Sequence, residues 1–396
     1  MAGINTLIAL LLLTMSSLAR QYSSGQVPGV VIQHVSAREK LYIGSPSICI
    51  LPNGDYLASH EYFGPGRQGR SRARIFRSAD RGRSWEQTAE IDGQEWSQLF
   101  VRNKDVFIIG PETAGGDIVI RRSSDGGRSW TQPDTEQHGR LLKGRFHSAP
   151  TPVLIYKNRI WKALEDLKGP GGQWGRGFRS FIISAPLDAD LLDAGSWTVS
   201  NALASDSTYL GGNFGGWLEG NAVAAPDGHV VVMLRTDYRV NGNEKAAIIT
   251  VNDDGREMSF SPATGFIDLP GGCKKFTIRY DTVSKRYWTI SNYVPEVFRG
   301  GNPERTRNTA ALLSSSDLKS WQVCGIVLHH PDVAQHGFQY IDFQFDKTDI
   351  IAVSRTAFDD ADGGPDNQHN ANYLTFHRIR DFRRYETPEE WRRLMP

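Results

Sequence analysis

One eight-residue pattern occurs twice in this chain and constrains its fold more than any other feature. Residues 78–85 read Ser-Ala-Asp-Arg-Gly-Arg-Ser-Trp and residues 123–130 read Ser-Ser-Asp-Gly-Gly-Arg-Ser-Trp, so both fit Ser-x-Asp-x-Gly-x-x-Trp. The aspartates Asp80 and Asp125 lie 45 residues apart, a spacing that fits one repeated unit of four β-strands. A repeat of this length predicts a fold built from copies of one unit.

The residue types give this pattern a local structural role. An Asp carboxylate accepts hydrogen bonds from N–H groups of its own turn, Gly supplies a positive φ, and Trp anchors the turn in an apolar layer. Two degenerate copies follow at 251–258 and 315–321. The pattern resembles the Asp box of sialidase-like β-propellers. We therefore interpret these aspartates as parts of hairpins and not as catalytic groups.

The rest of the chain predicts an all-β fold. Short apolar runs alternate with Gly, Pro, Asn and Asp, and no long helical period occurs before residues 388–395. We expect a single β-propeller of six or seven four-stranded blades, with segment 30–35 closing the ring by completing the last blade. The count of six comes from six hairpin turns that would each join the innermost strand of a blade to its second strand, at 52–55, 103–105, 157–159, 226–228, 283–285 and 346–348.

The first residues differ from the remainder. The apolar run 7–13 is followed by Ser17-Leu18-Ala19, which is typical of a secretory signal peptide cleaved after Ala19. We expect residues 1–19 to be a signal peptide, residues 20–396 to form the β-propeller catalytic domain, and the protein to be secreted. An N-terminal membrane anchor is the alternative.

Composition narrows the classes of partner. The net charge is +1 and no long run of like charge occurs, so we expect neither a nucleic-acid nor a membrane partner, and we expect a monomer. Three cysteines allow at most one disulfide, and the strand-like sequence around Cys49, Cys273 and Cys324 favours free thiols. No metal motif is present and no cofactor is predicted; a structural cation in the central channel is left open, without assigned ligands.

The repeat also indicates where a site would lie. In a β-propeller, the loops that enter innermost strands and leave second strands form the mouth of a funnel, on the face opposite the Asp boxes. Residues at these positions include aromatic rings, cations and carboxylates, which suits recognition of an acidic sugar. The candidate substrate-binding residues are Tyr62, His147, Trp217, Glu219, Asn221, Lys275 and Gln339, and the candidate catalytic residues are His60, Arg235, Arg355 and Tyr340; Trp96, Glu112 and Glu165 share the same positions.

Two family resemblances bear on function. Sialidases resemble one another in an Arg-Ile-Pro motif that opens the first innermost strand, but here Gly44 stands where that arginine would be. Because one cation of the carboxylate clamp is missing, we do not expect sialidase activity. The chain is more similar, over nearly the whole mature length, to secreted L-rhamnose-α-1,4-D-glucuronate lyases. The segments that carry this resemblance are 57–65, 216–221, 275–281, 336–340 and 354–360.

The second resemblance implies seven blades and a polysaccharide lyase that acts on arabinogalactan or gum-arabic-type glycans, which are acidic plant-type substrates. Elimination across C4–C5 of a glucuronate needs a cation for the C6 carboxylate, a base for the C5 proton and an acid for the departing O4. On this hypothesis His60 transfers the protons, Arg235 and Arg355 neutralise the carboxylate, and Tyr340 is a second acid. Lys275 or His147 would assist.

Two alternatives stay open at this point. A glycoside hydrolase, either a rhamnosidase or a sialidase-like exo-glycosidase, would need two carboxylates across the bond. The chain could supply them from Glu61, Glu112, Glu165 and Glu219. A glycan-binding propeller without catalysis is the other alternative, because propellers host many unrelated functions.

Overall fold

The computed structural model describes residues 26–238, 240 and 244–396, and the predicted signal peptide lies outside them. The described chain forms six blades, so the prediction of a β-propeller is confirmed with six as the blade number. The seven blades implied by the lyase resemblance are not found in the described residues. Each blade is an antiparallel sheet whose innermost strand faces the central channel.

The strands of the first three blades follow one another in chain order. Blade 1 contains β3 (Ser47–Ile50), β4 (Tyr56–His60), β6 (Arg72–Ser78) and β7 (Glu86–Asp92). Two strands precede it, β1 (Val30–His34) and β2 (Tyr42–Ile43), and β2 pairs with β5 (Tyr62–Phe63), which follows β4. Blade 2 contains β8 (Gln98–Arg102), β9 (Asp105–Pro111), β10 (Ile118–Ser123) and β11 (Arg140–Leu142). Blade 3 contains β12 (Phe146–His147), β13 (Leu154–Tyr156), β14 (Arg159–Asp166), β15 (Arg179–Pro186), β16 (Thr198–Val199) and β17 (Leu203–Ala204).

The last three blades follow the same order. Blade 4 contains β18 (Trp217–Ala224), β19 (Val230–Thr236), β20 (Lys245–Val251), β21 (Met258–Ser259) and β22 (Phe266–Asp268). Blade 5 contains β23 (Thr277–Asp281), β24 (Arg286–Asn292), β25 (Thr309–Ser315) and β26 (Gln322–His329). Blade 6 contains β27 (Gly337–Asp346), β28 (Asp349–Ala357), β29 (Tyr373–Ile379) and, as its outermost strand, β1.

Helical segments in the described chain are short. They are α1 (Tyr209–Gly212) and the 3-10 turns Ala37–Glu39, Ala194–Ser196, Glu296–Phe298, Pro303–Arg305, Phe382–Arg384 and Glu389–Leu394. None of these helices has the length and apolar character needed to cross a bilayer.

All six predicted hairpins join an innermost strand to the second strand of its blade. The predicted ring closure is also confirmed, because Val30 pairs with Phe376 and His34 pairs with Tyr373 across β1 and β29. Blade 6 thus combines strands from both ends of the described chain. The three cysteines are free, and Cys49 and Cys273 are buried.

The Asp boxes have the structural role that their residue types predict. The Asp80 carboxylate accepts hydrogen bonds from the N–H groups of Arg83 and Ser84, both at 2.9 Å. Hydrogen bonds from Ser84 hold the pKa of Asp80 well below its usual range. Trp85 of the same box packs against Phe376 of blade 6, with 5.4 Å between ring centroids. The box therefore anchors its hairpin, on the face opposite the funnel, to the apolar layer between blades.

The innermost strands are also linked through polar side chains that bind the main chain of the next blade. Asn221 accepts a hydrogen bond from Ile278 N–H at 3.0 Å and donates one to Phe276 O at 3.1 Å. Asn221 is fully buried in this role and is not placed to bind substrate as predicted. The equivalent links are Ser47 to Leu99 (2.9 Å), Thr151 to Gly220 (2.7 Å), Thr277 to Ile341 (3.0 Å) and Asp342 to Ile48 (3.0 Å). We call Ser47, Thr151, Asn221, Thr277 and Asp342 the inter-blade belt.

Asp342 links blade 6 to blade 1 in this belt, and its loss should destabilise the ring. Its carboxylate accepts hydrogen bonds from Ile48 N–H at 3.0 Å and from Ser47 and Gln98 at 3.2 Å each. Substitution Asp342→Ala would leave these buried donors without an acceptor, so we expect a loss of about 3–5 kcal/mol in the free energy of unfolding. Urea denaturation of the two proteins measures it.

The matched control is Asp268→Ala, because the Asp268 side chain is 82% exposed in its ion pair with Lys245. An exposed ion pair contributes little, so this variant should unfold like the wild type. Equal stability of the two variants would contradict the role assigned to the belt.

Candidate active site

A cavity of about 180 Å³ opens on the face of the ring opposite the Asp boxes. Its wall combines carboxyl groups, aromatic rings, two imidazoles and a guanidinium, contributed by loops that enter innermost strands or leave second strands. The lining residues are Gly44, Ser45, Glu61, Phe63, Glu95, Trp96, His147, Ser148, Trp174, Glu219, Tyr340, Arg355 and His369. Of the residues predicted to face the funnel, Trp96, His147, Glu219, Tyr340 and Arg355 line this cavity.

Tyr340 and Glu219 form a hydrogen-bonded pair in this wall. The Tyr340 hydroxyl donates to Glu219 Oε1 at 2.8 Å, and Arg235 Nη1 lies 3.1 Å from Glu219 Oε2. Burial alone would raise the pKa of Glu219, but Arg235, His147 and Tyr340 hold that pKa below its ordinary value. Burial and the neighbouring Glu219 raise the pKa of Tyr340. Glu219 is therefore an ionised acceptor beside a phenol.

Arg235 is fixed behind this pair. Its guanidinium is ion-paired with Glu219 and Glu304, at 3.1 Å each, and its Nε donates to Cys273 O at 2.8 Å. It does not line the cavity. The predicted contact between Arg235 and a substrate carboxylate thus has no geometric support, and its place in the structure is to keep Glu219 ionised.

Three residues of the cavity wall have a left-handed backbone conformation. Glu219 and Tyr340 have φ values of +60° and +52°, and Trp96 has +46°. The register of β18 with β19 shifts between Leu218 and Asn221, which marks a β-bulge at Glu219. A left-handed conformation costs a non-glycine residue about 1–2 kcal/mol, and such strain clusters at functional sites. Bulges typically redirect a side chain in this way.

Arg355 presents a cation to the cavity. It is 4% exposed, its Nη2 donates to His369 O at 3.0 Å and to Gln339 Oε1 at 3.3 Å, and its Nε is buried without a partner. Its guanidinium lies over the Tyr340 ring at 4.5 Å. Burial lowers the pKa of Arg355 to about 10, so the group stays charged at neutral pH.

A second buried cation shares the same acceptor. Arg307 Nη1 donates to Gln339 Oε1 at 2.7 Å. Neither Arg307 nor Arg355 forms an ion pair with a carboxylate in the described part of the chain. Gln339, predicted to bind substrate, does not line the cavity and instead holds these two guanidinium groups. This side of the cavity therefore has two buried guanidinium groups whose direct hydrogen-bond acceptors are neutral oxygens.

Glu61 occupies the space that an arginine at position 44 would need. A Cβ atom on Gly44 would lie 2.5 Å from Glu61 Oε1. That oxygen accepts a hydrogen bond from Ser45 N–H at 2.8 Å. Burial and the nearby Glu95 raise the pKa of Glu61 to about 8. The site thus contains a neutral carboxylic acid at neutral pH where the sialidase pattern has a cation.

His147 and Glu165 form a second polar pair. His147 Nδ1 lies 2.8 Å from Glu165 Oε2, and Glu165 Oε1 accepts a hydrogen bond from Gly220 N–H at 3.0 Å. The His147 ring stacks on Phe178 at 4.7 Å between centroids. The contact with Glu165 is made through Nδ1 and leaves Nε2 as the ring nitrogen available to a bound molecule. No described residue bonds to Nε2.

The position of His60 differs from the prediction. Its Nδ1 lies 2.8 Å from Glu61 O, its ring stacks on Phe76 at 5.7 Å, and burial lowers its pKa to about 3. The ring lies between sheets, outside the cavity wall. Side chains alternate between the two faces of a strand, so the funnel position falls one residue later, on Glu61. The proton-transfer role predicted for His60 has no geometric support.

Three further predicted residues are structural in this fold. Tyr62 packs under the guanidinium of Arg74 at 4.2 Å. Trp217 is fully buried in an aromatic cluster and meets the Phe260 ring at 5.2 Å. Lys275 donates to Ile341 O at 3.0 Å in the central channel. None of them lines the cavity.

Several lining residues were missed from the sequence. Glu95 pairs with Arg67 at 2.9 Å and directly precedes Trp96, which does occupy a predicted funnel position. Trp174 and His369 come from long loops after second strands, where no strand periodicity shows which side chain turns inward. Trp174 could have been predicted, because it is a tryptophan within the glycine-rich segment 169–177 that follows a second strand.

No protein-family model matches the chain, and no curated protein sequence matches it. Solved structures do. A protein of unknown function from Dyadobacter fermentans superposes with a TM-score of 0.58 at 17% identity, covering 89% of this chain and 100% of that one. The α-L-arabinofuranosidase of Fusarium graminearum gives 0.59 at 10% identity, covering 89% and 96%. A Hadza microbial sialidase gives 0.56 at 13%, covering 89% and 68%. These similarities show that the fold is shared with β-propellers.

The raised pKa of Glu61 makes stability depend on pH. The folded state holds a proton up to about pH 8, whereas an unfolded glutamate releases it near pH 4.3. The resulting stabilisation is complete below about pH 4 and is lost as pH rises through about 8. Urea denaturation at several pH values should show this loss in the wild type and not in Glu61→Gln.

The control is Glu86→Gln, because Glu86 is exposed at the start of β7. This variant should keep the pH profile of the wild type. A protonated-carboxyl infrared band at pH 7 that persists in Glu61→Gln would contradict the assignment.

Proposed function

We propose that this protein cleaves acidic glycans at a uronate residue, by β-elimination, with Arg355 binding the uronate carboxylate. The observation that carries the proposal is the buried Arg355 guanidinium, which faces the cavity with no carboxylate partner in the described chain. A buried charge without a counter-ion is unfavourable by several kcal/mol. A planar carboxylate matches the guanidinium and would supply the missing charge.

The remaining groups fit the steps of an elimination. Binding to Arg355 neutralises the C6 carboxylate and acidifies C5–H. Tyr340 then takes the C5 proton while its own hydroxyl proton passes to Glu219, the C5–H electron pair forms the C4=C5 bond, and the C4–O4 bond breaks. Glu61, protonated at neutral pH, gives its proton to the departing O4. The products are an unsaturated uronate and the free sugar that left.

The substrate class follows from these roles together with the sequence resemblance. The cavity is small, about 180 Å³, which favours action at a chain end. The resemblance to rhamnose-glucuronate lyases specifies the end as an L-rhamnose-α-1,4-D-glucuronate unit of arabinogalactan-type glycans. We extend the proposal to that linkage.

A glycoside hydrolase is the second candidate, and one observation favours it. Glu61 and Glu219 come from blades 1 and 4, on opposite sides of a six-bladed ring, and their pKa values are shifted in opposite directions. A neutral carboxylic acid facing an ionised carboxylate is the arrangement that glycosidases use. Two of the structural neighbours are named as an arabinanase and an arabinofuranosidase. In this case water would add to the cleaved bond and no double bond would form.

Product analysis separates the two reactions. With a rhamnose-capped glucuronate oligosaccharide, the lyase should release rhamnose together with an equal amount of product that absorbs in the unsaturated-uronate band. Glu61→Gln should lower kcat at least about 100-fold, because general acid catalysis contributes that much. Glu86→Gln is the control with full activity. Rhamnose release without the absorbance, with ¹⁸O from water in a product, would identify the hydrolase.

The role of Arg355 predicts a charge-specific defect. Arg355→Met should lower kcat/KM for the uronate substrate at least about 100-fold, since a charge-assisted bidentate contact contributes a few kcal/mol. The methyl ester of the same substrate carries no charge, so the variant should lose much less on it. Steady-state kinetics with both substrates measure the difference.

Arg38→Met is the matched control, because the Arg38 side chain is 75% exposed and does not line the cavity. Equal losses by Arg355→Met on the acid and on the ester would contradict carboxylate binding by Arg355.

A further inference from the structure

The cavity is divided into two chemically different halves. Tyr340, Arg355, Phe63 and His369 come from blades 6 and 1 and form a cationic half. The opposite half comes from blades 2 and 3 and is aromatic, with Trp96, His147 and Trp174. A substrate that places its carboxylate at Arg355 must direct its other sugar towards the aromatic half.

Trp174 is the outermost ring of that half. Its centroid lies 6.1 Å from Trp96, 5.1 Å from His147 and 4.8 Å from Phe178, in edge-to-face geometry each time. Nevertheless Trp174 is 58% exposed, and no other tryptophan in the described part of the chain is exposed. One edge of the indole is thus held by the wall while a large part of its surface faces solvent at the mouth of the cavity.

The loop that carries Trp174 is tied at its base. Between β14 and β15, Gly169 N–H donates to Gly177 O at 2.9 Å, and Gly177 N–H donates to Gln173 O at 2.9 Å. Gly175 has a φ of +86°, and a Cβ atom there would lie 3.3 Å from Gly215 O, so a side chain at this position would be strained and tightly packed. This turn keeps the indole at one place on the rim.

We propose that Trp174, supported by Trp96, is a stacking platform for the neutral sugar that leaves, and that this sugar presents an apolar face such as that of a 6-deoxyhexose. The inference rests on the proposed function, because that function places the uronate at Arg355. Sugar C–H groups pack on aromatic rings, and a rigid indole provides a large contact area. A methyl group in place of a hydroxymethyl group adds apolar area to the stack.

Two small probes test the platform without any turnover. Ligand-observed NMR titration with methyl α-L-rhamnoside and with methyl β-D-glucuronide gives the Kd of each for the wild type and variants. We expect Trp174→Ala to weaken the rhamnoside about tenfold, which corresponds to about 1.4 kcal/mol of stacking. It should leave the glucuronide unchanged. Arg355→Met should show the reverse pattern, and Trp174→Phe should retain part of the rhamnoside affinity.

Tyr280→Ala is the matched control, because Tyr280 is also an exposed aromatic, at 43%, but lies outside the cavity wall. It should bind both probes like the wild type. With the full glycan, Trp174→Ala should raise KM about tenfold while kcat changes little, as expected for lost binding energy.

The possible outcomes separate this inference from the proposed function. Rhamnoside affinity that is unchanged in Trp174→Ala, or absent in the wild type, overturns the platform even if the enzyme cleaves uronate glycans. Rhamnoside binding that depends on Trp174, in a protein that cleaves no uronate glycan, supports the platform and refutes the proposed reaction.

Discussion

The inter-blade belt is the constraint on which the site depends. The lining residues of the cavity come from five of the six blades, so their relative positions are only as well defined as the blade-to-blade contacts. Apolar layers between sheets tolerate small shifts, whereas a hydrogen bond from a side chain to the neighbouring main chain sets a register. Asn221 and Asp342 make such bonds, and each lies two residues after a member of the Tyr340–Glu219 pair. The two halves of the Tyr340–Glu219 pair are thereby held across the funnel.

Two buried lysine side chains near the innermost strands have oxygen atoms as hydrogen-bond partners. Lys162 donates to Ala149 O and to the carbonyl and hydroxyl oxygens of Thr151, at 2.8–3.0 Å, and burial lowers its pKa to about 7. Lys275 bonds to Thr277 and to Ile341 O, and burial lowers its pKa to about 8. Both buried lysine side chains are thus satisfied by backbone carbonyl and hydroxyl oxygens. Within the described residues, no group of three histidine, cysteine or acidic side chains is arranged for a metal ion.

The fold was predictable because its signals are local. The Asp boxes, the six hairpin turns and the closing strand each depend on a few adjacent residues, and each was found where the sequence places it. The site was only partly predictable because it depends on which face of a strand a side chain takes. At the end of β4 that choice separates His60 from Glu61, and the bulge at Glu219 reverses the ordinary alternation. Arg307 was missed because its partner, Gln339, lies on the next blade.

The residues at positions 44 and 61 differ from the sialidase pattern in a way that changes the chemistry of the site. A sialidase-like clamp uses an arginine from the first innermost strand, and this protein has Gly44 there, with the Glu61 carboxyl against it. The exchange replaces a permanent cation by a group that is neutral at pH 7 and can donate a proton. In the proposed reaction, the charge that binds the substrate carboxylate comes from blade 6, at Arg355. One side of the funnel is thus cationic and the adjacent side supplies an acid, which is what the proposed cleavage next to a carboxylate-bearing sugar requires.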